Sequence, residues 1–395
     1  MIQRRIFSAL EAHLVKKPVT VITGMRRVGK TSALKYLLEK VPHKNKIYID
    51  LEKADNRFIF QRTLYRDAQI DLEIEGINFD QPAVIALDEI QLVPEITSII
   101  KYFHDTFPAL KFIVSGSSSF YLKNRFSESL AGRKEVFEMF PLDFLEFLWF
   151  RGEEDTTALE RFSGQPYQQG IYFKYKEHYD DYLRYGGFPD VALAHSTRDK
   201  TAFLKDIVNA YIDLDIRLLS DLEASSALIR LIRLLASRSG HLLEVSNITG
   251  ILGMDKRKVT AYLDLLEKTY FIHLVTPFTH NVGRELSYRK KVYLADTGIL
   301  QQLAQVGSGQ VFENAIYLQW MRLGTVNYYQ KRTGQEVDFV VDGKIAVEVK
   351  ETPHSGDLAV LKSRAAAIDL HETRLVGRFP PNDGFQNFTW GGCIF

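Results

Sequence analysis

The stretch Gly24-Met25-Arg26-Arg27-Val28-Gly29-Lys30-Thr31 constrains this chain more than any other. It fits the pattern G-x-x-x-x-G-K-[ST] without a mismatch, and its surroundings are those the pattern needs. The β-branched run Val19-Thr20-Val21-Ile22-Thr23 leads in as a strand, and the residues from Ser32 to Lys40 lead out as a helix. Glycines let such a loop curl until successive N–H groups point inward as an anion nest. The helix N-terminus adds partial positive charge beneath a bound phosphate. Gly24, Arg26, Arg27, Val28, Gly29, Lys30, Thr31 and Ser32 are therefore the candidate contacts of a nucleotide, with ATP and Mg²⁺ as the implied ligands. Lys30 would reach the β- and γ-phosphates, and the Thr31 hydroxyl would hold Mg²⁺. Arg26 and Arg27, at the loop tip, either meet a neighbouring molecule or stay solvated.

The next hundred residues alternate strands with helices. Lys46 to Leu51 reads as a second strand, followed by a helix from Phe58 to Glu73. Ala83-Val84-Ile85-Ala86-Leu87 is a continuous apolar run, as in a strand buried on both faces of a parallel sheet. It ends in Asp88-Glu89. A helix from Ile96 to Phe107, a strand at Lys111-Phe112-Ile113-Val114-Ser115, a helix from Phe120 and a fifth strand from Lys134 to Phe140 complete an α/β layer fold with its ligand at the strand C-termini. Acid at the end of the third strand lies beside the loop in such a sheet. Asp88 would then hold Mg²⁺, and Glu89 would orient and deprotonate the attacking water, though Asp-Glu also suits a helix cap. Ser115 and Ser117 end the neighbouring strand, where a small hydroxyl either touches the γ-phosphate or forms a turn.

At 395 residues the chain is long enough for two or three domains. The formal net charge of +1 says nothing about nucleic acid, so only local clusters of basic residues can. A single cysteine, Cys393, excludes an intramolecular disulfide and a cysteine zinc site and suits a reducing compartment. Apolar runs are too short to span a bilayer, and Glu11, Lys16 and Lys17 interrupt anything like a signal peptide, so a cytoplasmic location is expected and a membrane partner is not. The histidines lack paired ligand spacing, and no nucleophile elbow is present, which argues against zinc and acyl-transfer chemistry.

The pattern sets boundaries near 150, 222 and 300: a loop-bearing ATPase domain over 1–150, a helical lid or linker over 151–222, a winged helix-turn-helix over 223–300 and an α/β domain over 301–395. The winged-helix reading rests on a helix from Val245 to Leu252, a Gly253 turn, a helix from Lys256 to Lys268 and two extended stretches, Phe271 to Phe278 and Lys291 to Ala295. Lys256, Arg257 and Lys258 begin its second helix, where DNA contacts are made, with Arg284, Arg289, Lys290 and Lys291 near the wing and Lys331-Arg332 beyond. The same helices also serve as protein contacts. In the last part, a turn at Asp342-Gly343 joins two strands and can bring Asp338 level with Glu348, while alternation puts Glu348 and Lys350 on one face. With Glu313 from a helix, Asp338 and Glu348 would bind Mg²⁺, and Lys350 would help position or deprotonate water at a DNA phosphodiester.

These motifs, with Asp88-Glu89-Ile90-Gln91, Leu130-Ala131-Gly132-Arg133, Phe140-Pro141-Leu142-Asp143-Phe144, Tyr185-Gly186-Gly187-Phe188-Pro189 and Lys291-Val292-Tyr293-Leu294-Ala295-Asp296-Thr297-Gly298, resemble a prokaryotic AAA+ ATPase family. Its members join the ATPase to a C-terminal domain of unknown function similar to PD-(D/E)XK nucleases. The resemblance implies strand order 5-1-4-3-2 and a homo-oligomer, a hexameric ring. It implies an arginine finger at Arg133, with Arg125 as the alternative and a local surface ion pair as the plain reading. It also implies a restriction-endonuclease-like core closest in layout to Holliday-junction resolvases, with valine in place of the proline, either cutting or retained only as a binding frame. The expected activity is a Mg²⁺-dependent AAA+ ATPase acting on DNA, branched or end-containing. A nucleotide-gated signalling or scaffold ATPase and a nuclease using ATP for assembly remain the alternatives.

Overall fold

The computed structural model describes residues 1–116, 130–216, 225–279, 289–331 and 334–395. Ser117, Arg125, Arg284 and Arg332 lie outside them. The chain packs as two units, one made of Met1–Phe140 with Lys268–Tyr270 and the other of Pro141–Glu267 with Phe271–Phe395. The expected limits at 150, 222 and 300 all fall within the second.

The first unit is a five-stranded sheet flanked by helices. Its strands are β1 (Val19–Thr23), β2 (Lys46–Asp50), β3 (Ala83–Asp88), β4 (Leu110–Gly116) and β5 (Lys134–Glu138). They lie in the order β2-β3-β4-β1-β5, every neighbouring pair parallel, which is the expected 5-1-4-3-2 read from the other edge. The three interior strands β1, β3 and β4 are buried at every residue, and β3 accordingly reads as an unbroken apolar run up to Asp88. The helices are α1 (Ile6–Leu14), α2 (Lys30–Lys40), α3 (Ala54–Ile59), α4 (Tyr65–Ile74) and α5 (Ile96–Thr106). On α5, Ile96, Ile99, Ile100 and Phe103 recur at helical spacing and bury against Ile85, Leu87 and Phe112 of the sheet. Each such side chain contributes about 1.5–3 kcal/mol on leaving water.

A single helix from Phe58 to Glu73 does not form. The chain breaks between α3 and α4 so that Phe60 and Leu72 both reach the core, each fully buried. On one straight helix they would point roughly a third of a turn apart. Lys268–Tyr270 joins this unit, with the Tyr270 hydroxyl donating to Glu138 Oε1 at 2.8 Å.

The second unit begins with α6 (Phe144–Phe150), entered through a capping box in which Asp143 Oδ1 accepts from the Glu146 N–H at 2.8 Å and Glu146 Oε2 accepts from the Asp143 N–H at 3.1 Å. Helices α7 (Thr157–Arg161), α8 (Gln169–Tyr185), α9 (Pro189–Leu193), α10 (Thr197–Ala210) and α11 (Ser225–Ser237) follow. Then α12 (Val245–Leu252) and α13 (Lys256–Lys268), joined at left-handed Gly253, precede an antiparallel pair, β6 (Ile272–Val275) and β7 (Lys291–Leu294). Two helices about a glycine turn, then an antiparallel strand pair, thus follow one another in the order read from the sequence. Helices α14 (Thr297–Leu303) and α15 (Ser308–Trp320) lead to a mixed sheet. It comprises β8 (Val326–Gln330), β9 (Glu336–Val341), β10 (Ile345–Lys350), β11 (Glu372–Gly377) and β12 (Thr389–Trp390), in the order β12-β11-β10-β9-β8. Helix α16 (Ser355–Ala366) covers it, with Leu361 and Ala365 packed on Val337, Val340 and Ala346.

Two of the motifs meet here. Asp296, buried, caps α14 by accepting from the Gly298 and Ile299 N–H groups at 2.8 and 3.0 Å, while its other oxygen accepts from the Gly187 N–H at 2.7 Å. Gly186 is left-handed at φ 78°, and a Cβ there would stand 2.0 Å from Asp296 Oδ1. Only glycine fits against that carboxylate. Burial raises the Asp296 carboxyl to about 6, against the pull of its three backbone donors.

Candidate functional site

The loop between β1 and α2 leaves the sheet at Gly24, where a Cβ would fall 2.1 Å from the Met139 carbonyl oxygen, so the closeness of the backbone itself demands glycine. Helix α2 starts immediately after Gly29 and directs its free N–H groups into the loop. Lys30 is 4% exposed and donates to the carbonyls of Gly24 and Met25 at 3.1 and 2.7 Å. Val28 is buried, Ser32 and Arg27 are exposed, and Arg27 takes a left-handed φ of 63°. Beneath the loop lies Arg4, 5% exposed, whose guanidinium donates to the Val28 and Phe140 carbonyls, both at 2.9 Å. Nothing in the residue pattern around Arg4 marks it out. Its role comes only from where α1 places it.

Asp88, at the end of β3, gathers donors from three other elements. Thr31 Oγ1 donates to Oδ2 at 2.6 Å, the Tyr48 hydroxyl of β2 donates to the same oxygen at 2.8 Å, and Ser115 Oγ of β4 donates to Oδ1. Parallel register brings β2 and β4 to this level, pairing Asp50 with Asp88 and Leu87 with Val114. Ser115 is fully buried with its hydroxyl on the carboxylate, so the structure places it as a support of Asp88. Burial, then the Asp88 charge, pushes the Tyr48 phenol up, and it stays a donor. Tyr48 was not singled out in the sequence, although its place in a strand ending beside Asp88 is the signal that finds it.

Glu89 follows with a left-handed φ of 57°, a strained backbone conformation for a residue other than glycine. Gln91 Nε2 donates to its Oε2, and Arg26 Nη2 stands 3.9 Å from the same oxygen while Arg26 Nη1 is 3.4 Å from Glu52. Arg26 thus bridges two carboxylates at the loop tip.

Arg133 lies elsewhere. Its carbonyl accepts from the Val19 N–H at 2.7 Å, at the N-terminal end of β1, a strand length of about 15 Å from the loop at the other end. Its Nε donates to Asp105 Oδ1 at 2.8 Å, and this bond, with His104, holds the Asp105 carboxyl down at about 2. Arg133 thus stands apart from the phosphate loop of its own chain.

The C-terminal carboxylates form a second centre. Asp342 and Gly343 are both left-handed, and the β9–β10 register pairs Phe339 with Val347, which sets Asp338 level with Glu348 as expected. Asp338 Oδ2 accepts from the Val349 N–H at 2.8 Å, and Lys350 stands 2.9 Å from Glu348 Oε1. Glu313, on α15, accepts from the Tyr293 hydroxyl at 2.7 Å. The expected metal triad is nevertheless not assembled: among the described residues no three Asp, Glu, His or Cys side chains group as metal ligands. The carboxylates are served by cations of the chain instead. Lys291 lies 2.5 Å from Glu336 and 3.7 Å from Glu313, and Arg364 is 3.5 Å from Glu348. Burial raises the Glu348 carboxyl to about 7.

Lys256, Arg257 and Lys258 are all exposed at the start of α13. None of the described helices is long and apolar enough to cross a membrane.

Comparison with known proteins agrees with this geometry. Residues 16–148 match the family model described as AAA domain, and residues 176–310 match a domain of unknown function, DUF8612. Most of the first unit is thus similar to an AAA domain. An uncharacterized protein of Methanocaldococcus jannaschii is 24% identical, over 96% of this chain and 86% of that one. One of Mycobacterium tuberculosis is 25% identical, over 98% and 82% of the two chains. Among solved structures, the ORC2 protein of Aeropyrum pernix in its ADPNP–ADP complexes overlaps with a TM-score of 0.46 at 11% identity, over 81% of this chain and 95% of that one. An overlap so loose assigns neither activity nor partner.

Proposed function

We propose that the chain is a Mg²⁺-dependent ATP hydrolase that works on DNA, its active site completed by a second copy. The observation that carries the reading is the Thr31–Asp88 pair, a hydroxyl and a carboxylate oxygen 2.6 Å apart beside the loop lysine. That is the oxygen donor set a hard cation takes alongside phosphate. Thr31 and Asp88 would hold Mg²⁺, which when bound neutralises charge on the phosphates. Lys30 exchanges loop carbonyls for phosphate oxygens, and the α2 N–H groups hold the remainder. Glu89 takes the proton of the attacking water once Arg26 and Gln91 release it. Arg133 of a neighbouring copy supplies the guanidinium that stabilises the transferring phosphoryl group, since its distance from its own loop leaves only that route.

DNA enters through Lys256, Arg257 and Lys258, whose exposure at the first turn of the second helix suits phosphate contact. Strand cleavage is left out of this reading because no metal-ligand group is assembled at the C-terminal carboxylates among the described residues.

The test compares Lys30→Ala and Glu89→Gln in ATP binding and turnover. Lys30→Ala loses binding, whereas Glu89→Gln keeps binding and loses turnover by about two orders of magnitude or more. Equal turnover in Glu89→Gln and wild type would remove Glu89 from the mechanism.

A further inference from the structure

Helix α13 ends at Lys268, and Lys268–Tyr270 packs with the first unit, although the chain up to Glu267 and from Phe271 belongs to the second. Tyr270 takes a left-handed φ of 62°, which a bulky side chain keeps only where its surroundings dictate it. The next residue, Phe271, is fully buried in its own unit and stacked on Tyr211 with 4.2 Å between ring centroids.

Tyr270 is 6% exposed and meets the end of β5. Its hydroxyl donates to Glu138 Oε1 at 2.8 Å, and its ring stands edge-on to Phe140 with 6.2 Å between centroids. Burial, then the Glu138 charge, pushes the phenol up, so it stays a donor. The residue between these two contacts, Met139, lies against the phosphate loop. Its N–H donates to the Thr23 carbonyl at 2.7 Å. Its carbonyl oxygen would meet a Cβ on Gly24 at 2.1 Å, and its side chain would meet one on Gly29 at 3.4 Å. Phe140 shares Arg4 with the loop, because that guanidinium reaches both the Phe140 and the Val28 carbonyls. Glu138–Phe140 is therefore a strut against both glycines of the loop, held by Arg4 and by Tyr270.

We propose that Tyr270 is a positioning residue of the nucleotide loop, and that occupancy of the loop is felt through it at the end of α13. Phosphate draws Lys30 away from the Gly24 and Met25 carbonyls, and the close-packed strut moves with them. The Tyr270–Glu138 bond carries that movement to Lys268. Such a coupling is reciprocal, so a restraint on α13 changes nucleotide affinity by the same factor. The inference rests on the reading of the loop as a nucleotide site and adds how that site is regulated.

The test uses the full chain with MgADP. Affinity is read with a fluorescent ADP, and hydrogen–deuterium exchange is followed in peptides from α13. Tyr270→Phe keeps the ring and deletes only the hydroxyl, Glu138→Met removes the acceptor, and Glu138→Gln retains one. In wild type, saturating MgADP slows exchange in the last turns of α13. Tyr270→Phe and Glu138→Met each bind the nucleotide about fivefold or more weakly and lose that protection even at saturation. Glu138→Gln keeps both properties, and the double variant Tyr270→Phe/Glu138→Met is no worse than either single one. Protection that survives in Tyr270→Phe overturns the proposal, and so do additive losses in the double variant. A wild-type chain that binds MgADP without any change in α13 overturns it as well. A wild-type chain that binds no nucleotide removes the ATPase reading and this inference together, and the affinity measurement separates that failure from the others.

Discussion

At the level of single residues, Asp88 is held by three hydroxyls, and only one of them belongs to the phosphate loop. Tyr48 is the one that can be removed without touching the loop or the core. Tyr48→Phe keeps the ring and deletes one hydrogen bond to a charged group, so the Mg²⁺ concentration needed for half-maximal turnover should rise about tenfold. A magnesium titration of the steady-state rate checks this, and an unchanged requirement would make Tyr48 a packing residue. Arg4 supports the loop from below through two carbonyls. Arg4→Met should weaken nucleotide binding with little effect on the rate at saturation, and the split between KM and kcat reads the difference. The loop, Lys30, Thr31, Asp88 and Glu89 were legible because their chemistry demands fixed residue types at a strand end. Arg4 and Tyr48 were not, because any donor that the fold brings within reach serves, and reach is a property of packing. Ser115 shows the same limit: its strand-end position was plain, but not that its hydroxyl turns onto Asp88.

Among elements, the parallel layer of β1 to β5 followed from a buried apolar run and from strands alternating with helices, and their order from the family resemblance alone, whereas the break between α3 and α4 did not follow from either. Helical periodicity across that segment is real but local. The turn is imposed by two core contacts that no single helix face can make. The Gly186-Gly187 and Asp296 motifs appeared as separate stretches of sequence, and folding joins them into one cap. Asp296→Ala should destabilise the second unit by at least about 3 kcal/mol, since three N–H groups lose their acceptor. The charge state gives a sharper sign. The folded carboxyl titrates at about 6 and the free one at 3.8, so the unfolded chain ionises first as pH rises. Stability is then greatest below the lower value and falls as pH rises to about 6, by an amount on the order of 3 kcal/mol. Denaturant titrations at several pH values should show this slope in wild type and not in Asp296→Ala. The C-terminal strands and the level pairing of Asp338 with Glu348 were also readable, from alternation and an Asp-Gly turn. What could not be read was that Lys291, taken as one of several basic residues near the wing, is buried against Glu313 and Glu336.

For the whole molecule, the role proposed for Arg133 would make the active site a joint property of two copies. Lys30→Ala and Arg133→Ala should each abolish turnover alone, and a mixture of the two should regain part of it, because some sites then combine an intact loop with an intact arginine. Failure of every mixing ratio would place the role of Arg133 within its own subunit, with Asp105. The single thiol reports on the second unit as a body. Cys393 is buried and its thiol is raised to about 12, so it should resist thiol reagents at neutral pH until that unit unfolds. The expected hexameric ring and the form of DNA that the proposed function would prefer were not legible in the residues themselves, because both depend on surfaces between molecules that one chain does not carry. The measurement that bears most directly on the account is steady-state ATP hydrolysis by the full chain, with Glu89→Gln as control. It compares no nucleic acid, duplex, single strand and a four-way junction at two salt concentrations. The account predicts stimulation by DNA that weakens steeply with salt and is lost when Lys256, Arg257 and Lys258 are changed to alanine. Turnover that is slow and indifferent to every DNA form would contradict it and leave a nucleotide-gated switch for a protein partner.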